Sequence, residues 1–211
     1  MSFTKRDKAE LLMRRRNLDP APASWPDVVS AMMSDTMPGD LGWIIYGGVG
    51  SGKTSRARVA ADLCGIQLCE AAQLADEFRS CDPVAAARLP GGWQMPAGRC
   101  GLADLIIDDL GAEPRSIMLW GEWREPLREI LEARLNRWPR IRTYITTNLT
   151  PQELEGRYGE RVASRVAGCC LPILLSAPDW RRHSKLQPTK ERKTSEMETI
   201  VSDLDIQMGE G

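Results

Sequence analysis

The chain has 211 residues, 42% of them hydrophobic and 27% charged, with a formal net charge of −1, enough for one full domain with a core and short appendages. So balanced a charge excludes recognition of nucleic acid by overall charge, and any such role must rest on a local patch. No apolar run approaches the roughly 20 residues a membrane span needs, and no signal-peptide core opens the chain, which predicts a cytoplasmic protein with no membrane contact.

Residues 1–36 form a short extension. Lys5, Arg6, Lys8, Arg14, Arg15 and Arg16 make its start a basic helix or arm, Asp19 to Pro26 is a proline-rich linker, and Ser24-Trp-Pro-Asp27 caps a helix ending near Met37. Strands and helices then alternate. Gly42–Tyr46 reads as a buried strand, Lys53–Cys64 as a helix, and Ile66–Leu68 as a short strand. Helices are predicted over Ala71–Ser80 and Pro83–Arg88, followed by a Gly/Pro-rich loop through Arg99. Leu105–Ile107 is a strand, Trp120–Trp138 a long helix, and Thr143–Thr147 and Leu171–Leu175 the last two strands. This order predicts an α/β fold with a five-stranded parallel sheet flanked by helices. Residues 183–211 are polar and mixed in charge, the composition of a disordered tail.

Cys64, Cys69, Cys81, Cys100, Cys169 and Cys170 form no Cys-x-x-Cys pair, and His183 is the single histidine. Buried thiols in a reducing compartment explain this pattern better than a zinc set, and a histidine-dependent triad is disfavoured.

The segment Gly47-Gly-Val-Gly-Ser-Gly52-Lys53-Thr54 fits the P-loop pattern G-x-x-x-x-G-K-[ST], lying after a predicted strand and opening a predicted helix. Glycine lets the backbone turn its N–H groups onto phosphate oxygens, and the helix adds its positive N-terminal end. Gly47, Gly48, Val49, Gly50, Ser51, Gly52, Lys53, Thr54 and Ser55 are therefore the candidate contacts for ATP. Lys53 is set to reach the β- and γ-phosphates and Thr54 to coordinate Mg²⁺. Leu105-Ile-Ile-Asp108-Asp109 is an apolar strand ending in two acids, the Walker B arrangement. Strand pleating would point Asp108 to the metal and Asp109 toward the γ-phosphate side, to polarise water.

Further segments carry a resemblance. Tyr144-Ile-Thr-Thr-Asn148 followed by Leu-Thr-Pro-Gln-Glu-Leu154 resembles the sensor 1 strand of AAA+ ATPases and the capped helix after it. Tyr158-Gly-Glu-Arg161-Val-Ala-Ser-Arg165 resembles the arginine-finger box of the DnaC/IstB-like branch, and Ile106-Ile-Asp-Asp-Leu-Gly111 and Pro178-Asp-Trp-Arg181 resemble its Walker B and terminal motifs. The resemblance covers residues 37–182. It implies a slow, partner- or assembly-dependent ATPase, with Asn148 orienting water and Arg165, or secondly Arg161, acting in trans on a neighbouring subunit. Arg181 would sense nucleotide or pair with an acid at the domain edge. Asp109 stands where many AAA+ proteins have the longer Glu, which fits slow hydrolysis. The distance from the last strand to the chain end leaves no room for a C-terminal helical lid.

The branch includes bacterial and phage replicative helicase loaders, acting in DNA replication, and IstB-like transposition helpers on duplex DNA. The implied partner is thus a replicative helicase or a transposase, and single-stranded DNA is an implied ligand. Arg79, Arg88 and Arg99 lie where the branch carries DNA-contacting helices, with Phe78 and Trp93 as nearby aromatics. Two readings of other classes stay open: a nucleotide-gated adaptor with negligible turnover, and a small-molecule P-loop kinase.

Overall fold

Long apolar runs in the sequence become the interior of one twisted sheet. The computed structural model describes residues 41–79 and 103–176. The predicted helices over 24–37 and 83–88, together with Arg88, Trp93, Arg99, Arg181, His183 and the tail, lie outside these residues. Seven strands and five helices follow in chain order among the described residues: β1 (Gly42–Gly47), α1 (Lys53–Cys64), β2 (Gln67–Glu70), α2 (Ala71–Arg79), β3 (Leu105–Leu110), β4 (Ile117–Leu119), β5 (Glu122–Arg124), α3 (Pro126–Leu135), β6 (Thr143–Thr147), α4 (Pro151–Tyr158), α5 (Glu160–Cys169) and β7 (Cys170–Leu175).

Five strands form the main sheet in the order β2-β3-β6-β1-β7, and every pairing is parallel. Side chains alternate between its faces, so each strand feeds two cores. Trp43, Ile45, Ile106, Tyr144 and Ile173 pack with Ala57, Val59 and Ala60 of α1 on one face. Ile44, Leu105, Ile107 and Ile145 pack with Leu74, Leu127, Leu131, Val162 and Val166 of α2, α3 and α5 on the other. Because the strands are parallel, the ends of β1, β3 and β6 share one edge of the sheet. In open α/β sheets that edge is where ligands bind.

Gly42 is required by close packing between neighbouring strands. A Cβ there would stand 1.9 Å from the Thr143 carbonyl oxygen. Gly42→Ala must push β1 away from β6, an overpacking cost of about 1–3 kcal/mol. A fall of that size is expected in urea-unfolding free energy.

Two sequence readings are corrected. The long helix predicted over Trp120–Trp138 is a β4–β5 hairpin followed by the shorter α3. Trp120 at φ 49° and Gly121 at φ 88° form the hairpin's turn, which no helix passes through. Pro126 starts α3 because a proline lacks the N–H that an interior position would need. The second strand runs over Gln67–Glu70 rather than Ile66–Leu68, since Gly65, at φ 64°, ends α1 and its cap leaves Ile66 bonded to Ala61.

The cysteines behave as small apolar side chains. Cys69, Cys169 and Cys170 are buried, and burial, followed by the neighbouring Cys169, pushes the Cys170 thiol up to about 12. No described helix is long and apolar enough to cross a membrane.

Candidate nucleotide site

The loop between β1 and α1 turns through two left-handed glycines, Gly50 at φ 77° and Gly52 at φ 86°. Ser51 N donates to the Gly48 carbonyl at 3.3 Å, and Arg56 N takes up the helical pattern on Gly52 O at 3.1 Å. The Arg56 guanidinium, buried in α1, donates to the Ser51 carbonyl at 3.0 Å and braces the loop from behind. Gly48 is open, with no atom within 4 Å of where a Cβ would be. Val49 is exposed, whereas Ser51 and Lys53 are buried. Thr54 and Ser55, in the first turn of α1, are partly exposed.

Lys53 joins this loop to the rest of the site. Its ammonium donates to Gly47 O at 2.7 Å, Gly48 O at 2.8 Å and the Asn148 side-chain oxygen at 2.6 Å. The Asn148 amide nitrogen in turn donates to Asp109 Oδ1 at 2.9 Å. One hydrogen-bonded line therefore connects the loop lysine, the polar residue after β6 and the second acid of β3. These three come from segments far apart in sequence, and the strand order places them side by side.

The two acids are separated by a different device from the one the pleat suggests. The pairing of β3 with β6 shifts register between Ile107 and Leu110, and Asp109 adopts φ 57°. This irregularity, not simple alternation, re-aims Asp109. It also removes regular ladder partners, and two threonines replace them. Thr146 Oγ1 donates to Asp108 and accepts from Asp109 N at 2.9 Å. Thr147 Oγ1 donates to Leu110 O at 2.7 Å and accepts from Leu149 N at 3.0 Å. Asp108 is almost wholly buried, and a buried carboxylate needs such donors.

Thr146→Val keeps the shape and removes both bonds. It is expected to destabilise the fold by about 2 kcal/mol, because it strips a donor from the buried Asp108 and the acceptor from Asp109 N. Chemical denaturation measures the loss.

No protein-family model and no curated protein matches the sequence. Solved structures do match the fold. The DnaC helicase loader aligns with TM-score 0.51 at 20% identity, over 76% of this chain and 94% of that one. DnaI aligns with TM-score 0.52 at 18% identity, over 81% of this chain and 92% of that one. The replication initiator DnaA, bound to AMPPCP and single-stranded DNA, aligns with TM-score 0.54 at 15% identity, over 82% of this chain and 55% of that one. The chain shares the fold of these DnaC, DnaI and DnaA structures.

Among the described residues the remaining candidates make no hydrogen bond to the loop. Thr150 begins α4 with a capping box, its hydroxyl accepting from Glu153 N while the Glu153 carboxylate accepts from Thr150 N at 2.7 Å. Arg161 and Arg165 lie one turn apart on α5, whose buried residues are Val162, Val166 and Cys169. Arg161 is exposed and Arg165 half-buried, with its Nη1 lacking a hydrogen-bond partner among the described residues. Arg79 ends α2, mostly exposed and 3.5 Å from Asp76. The structure does not bring it to the nucleotide loop.

Four contributors escaped the sequence reading: Arg56, Glu113, Thr146 and Thr147. The two threonines carried a faint signal, being hydroxyls directly before Asn148 on a strand paired with the acids. Arg56 carried none, since arginine on an early helical turn reads as surface charge.

Proposed function

We propose that the chain is an ATP-binding and ATP-hydrolysing AAA+ protein that serves a replicative helicase as a loader in DNA replication. The Lys53–Asn148–Asp109 line carries this reading, since it sets a phosphate-binding cation, a polar orienting group and an acid around one point. In this reading the loop amides and Lys53 hold the β- and γ-phosphates. Asn148 and Asp109 orient and polarise the attacking water, and catalysis is mostly positioning and charge stabilisation.

Thr54 and Asp108 fit Mg²⁺ as hard oxygen donors of the kind it takes beside phosphates. The fixing of Asp108 by Thr146 gives one ligand a defined place. The ion, when bound, neutralises charge on the β- and γ-phosphates. The protein's own part is to hold the carboxylate and hydroxyl ready for it. Asp109 accepts from Asn148 and is shorter than glutamate, which supports slow turnover raised by assembly or a partner.

The DnaC-type fold supports the loader reading, and single-stranded DNA is the ligand named with DnaA in its complex. Arg79 is the described candidate for such a contact.

The test is phosphate release from Mg²⁺·ATP by the full chain, with no acceptor added, then with a replicative helicase and single-stranded DNA. Slow release that rises with helicase supports the loader. Release only in the presence of a nucleoside or metabolite makes the chain a kinase. Binding without release under every condition makes it a nucleotide-gated adaptor, and stimulation by duplex DNA and a transposase makes it a transposition helper.

A further inference from the structure

Glu113 follows the acid end of β3 and is 4% exposed. Its two carboxylate oxygens are divided between two parts of the fold. Oε2 accepts from Gly111 N at 2.9 Å, in the turn that leaves β3. Oε1 accepts from Arg157 Nε at 3.2 Å, Arg157 Nη2 at 3.0 Å and the Tyr158 hydroxyl at 2.5 Å, at the end of α4. Arg157 Nη2 also donates to the Glu113 carbonyl.

This arrangement exceeds what packing alone asks for. A buried ion pair is often replaceable by apolar side chains of similar volume without loss of stability, so its presence is weak evidence of a stabilising role. Removing one partner, by contrast, strands the other charge. Burial, then the Glu113 charge and hydrogen bond, hold the Tyr158 hydroxyl far above its ordinary pKa. It therefore stays protonated, a donor, across the working pH range.

Each end of the clamp leads directly to a residue of the proposed chemistry. Gly111 is two residues beyond Asp109, which Asn148 and Lys53 tie to the nucleotide loop. Tyr158 is followed by Gly159, at φ 88°, and then by α5 with Arg161 and Arg165. Glu113 thus joins the acid turn to the end of α4, from which the chain passes into the arginine helix.

We infer that Glu113 is a positioning residue that couples nucleotide at the P-loop to the setting of α5, and so to the presentation of Arg161 and Arg165 to a neighbouring molecule. The inference rests on the nucleotide-binding reading above. Contiguity alone does not establish coupling, which needs a response at one site to a ligand at the other. A shift of the Asp109 turn on nucleotide binding moves the Gly111 amide, and the bidentate carboxylate passes that movement to Arg157 and Tyr158.

The experiment compares the full-length wild type with Glu113→Gln. Mg²⁺·ATPγS affinity is read by calorimetry, and amide hydrogen exchange across 150–169 is measured with and without that nucleotide. In the wild type, nucleotide is expected to slow exchange in this segment at least fivefold. Glu113→Gln is expected to bind within twofold of wild-type affinity, yet to show less than half of that protection. A merely structural glutamate would raise exchange equally with and without nucleotide, leaving the response intact.

A wild-type-like response in Glu113→Gln overturns the coupling role, as does a wild type that binds nucleotide with no response in 150–169. Loss of affinity in Glu113→Gln also overturns it, by placing Glu113 in the binding site itself. A wild type that binds no nucleotide defeats the P-loop reading and the coupling together, and is told apart by the calorimetry. Should Glu113→Gln fail to fold, Tyr158→Phe decides, since it deletes one donor and keeps the buried ring. A halved response supports the clamp, and a full one sinks it.

Discussion

Lys53→Ala is expected to weaken Mg²⁺·ATP binding by at least a hundredfold, to the edge of detection in a calorimetric titration. The Lys53 ammonium is buried and held by two loop carbonyls and Asn148, all within 2.8 Å. Placed there, it faces the only ligand chemistry that a glycine loop at a helix N-terminus selects for, a phosphate chain. A charge-assisted hydrogen bond to such a group contributes about 1.5–3 kcal/mol. Losing two of them corresponds to about 3–6 kcal/mol, or roughly two to four powers of ten in affinity. Some of the loss comes from the loop itself, since Gly47 and Gly48 lose the group that gathers their carbonyls. Lys53→Met separates these effects, because it refills the apolar volume and restores the melting temperature without restoring the charge. Binding must stay low in both variants. Wild-type affinity in either would end the P-loop reading.

The sequence made the candidate positions legible and hid what holds them in place. Gly47 to Thr54 stood out because few backbones need that many glycines before Lys-Thr, and α1 begins at Lys53 as its position implied. The strand Thr143–Thr147 was equally plain, because β-branched residues crowd it. The failure over Trp120–Trp138 has a physical cause. Its apolar residues repeat at spacings that suit a helix, while Gly121 and Pro126 were the punctuation that should have stopped it. Trp120 takes a left-handed conformation that a bulky side chain rarely adopts, so local preference pointed the wrong way.

At the acids, strand pleating alone did not give the geometry. The irregular step at Asp109 depends on Thr146 and Thr147 replacing ladder hydrogen bonds across strands, which no local pattern reports. Glu113 and Arg157 are 44 positions apart, and either alone reads as a surface charge. Long-range polar pairs of this kind carry no periodicity, and so remain silent until the fold assembles them.

Arg165→Ala is expected to leave nucleotide affinity within twofold and to lower assembly-dependent hydrolysis by about a thousandfold, the lower end of what arginine fingers contribute. The direction follows from where α5 lies. Val162, Val166 and Cys169 bury one side of this helix, while Arg161 is exposed and Arg165 half-exposed. Among the described residues neither arginine hydrogen-bonds the nucleotide loop, and the role predicted for Arg165 is one at a neighbour's γ-phosphate. The resemblance puts the finger first at Arg165, and a guanidinium forms its strongest hydrogen bonds with an anion such as phosphate. Arg165→Lys should recover little, since an ammonium lacks the planar fork. Mixing supplies the decisive measurement. Arg165→Ala keeps an intact acid, and Asp109→Asn keeps an intact arginine, so neither alone hydrolyses ATP well. Together they form some junctions where a sound site meets a sound arginine, and phosphate release must rise above the sum of the two. If the mixture gives only that sum, or if Arg165→Ala alone is fully active at high protein concentration, Arg165 does not act across an interface.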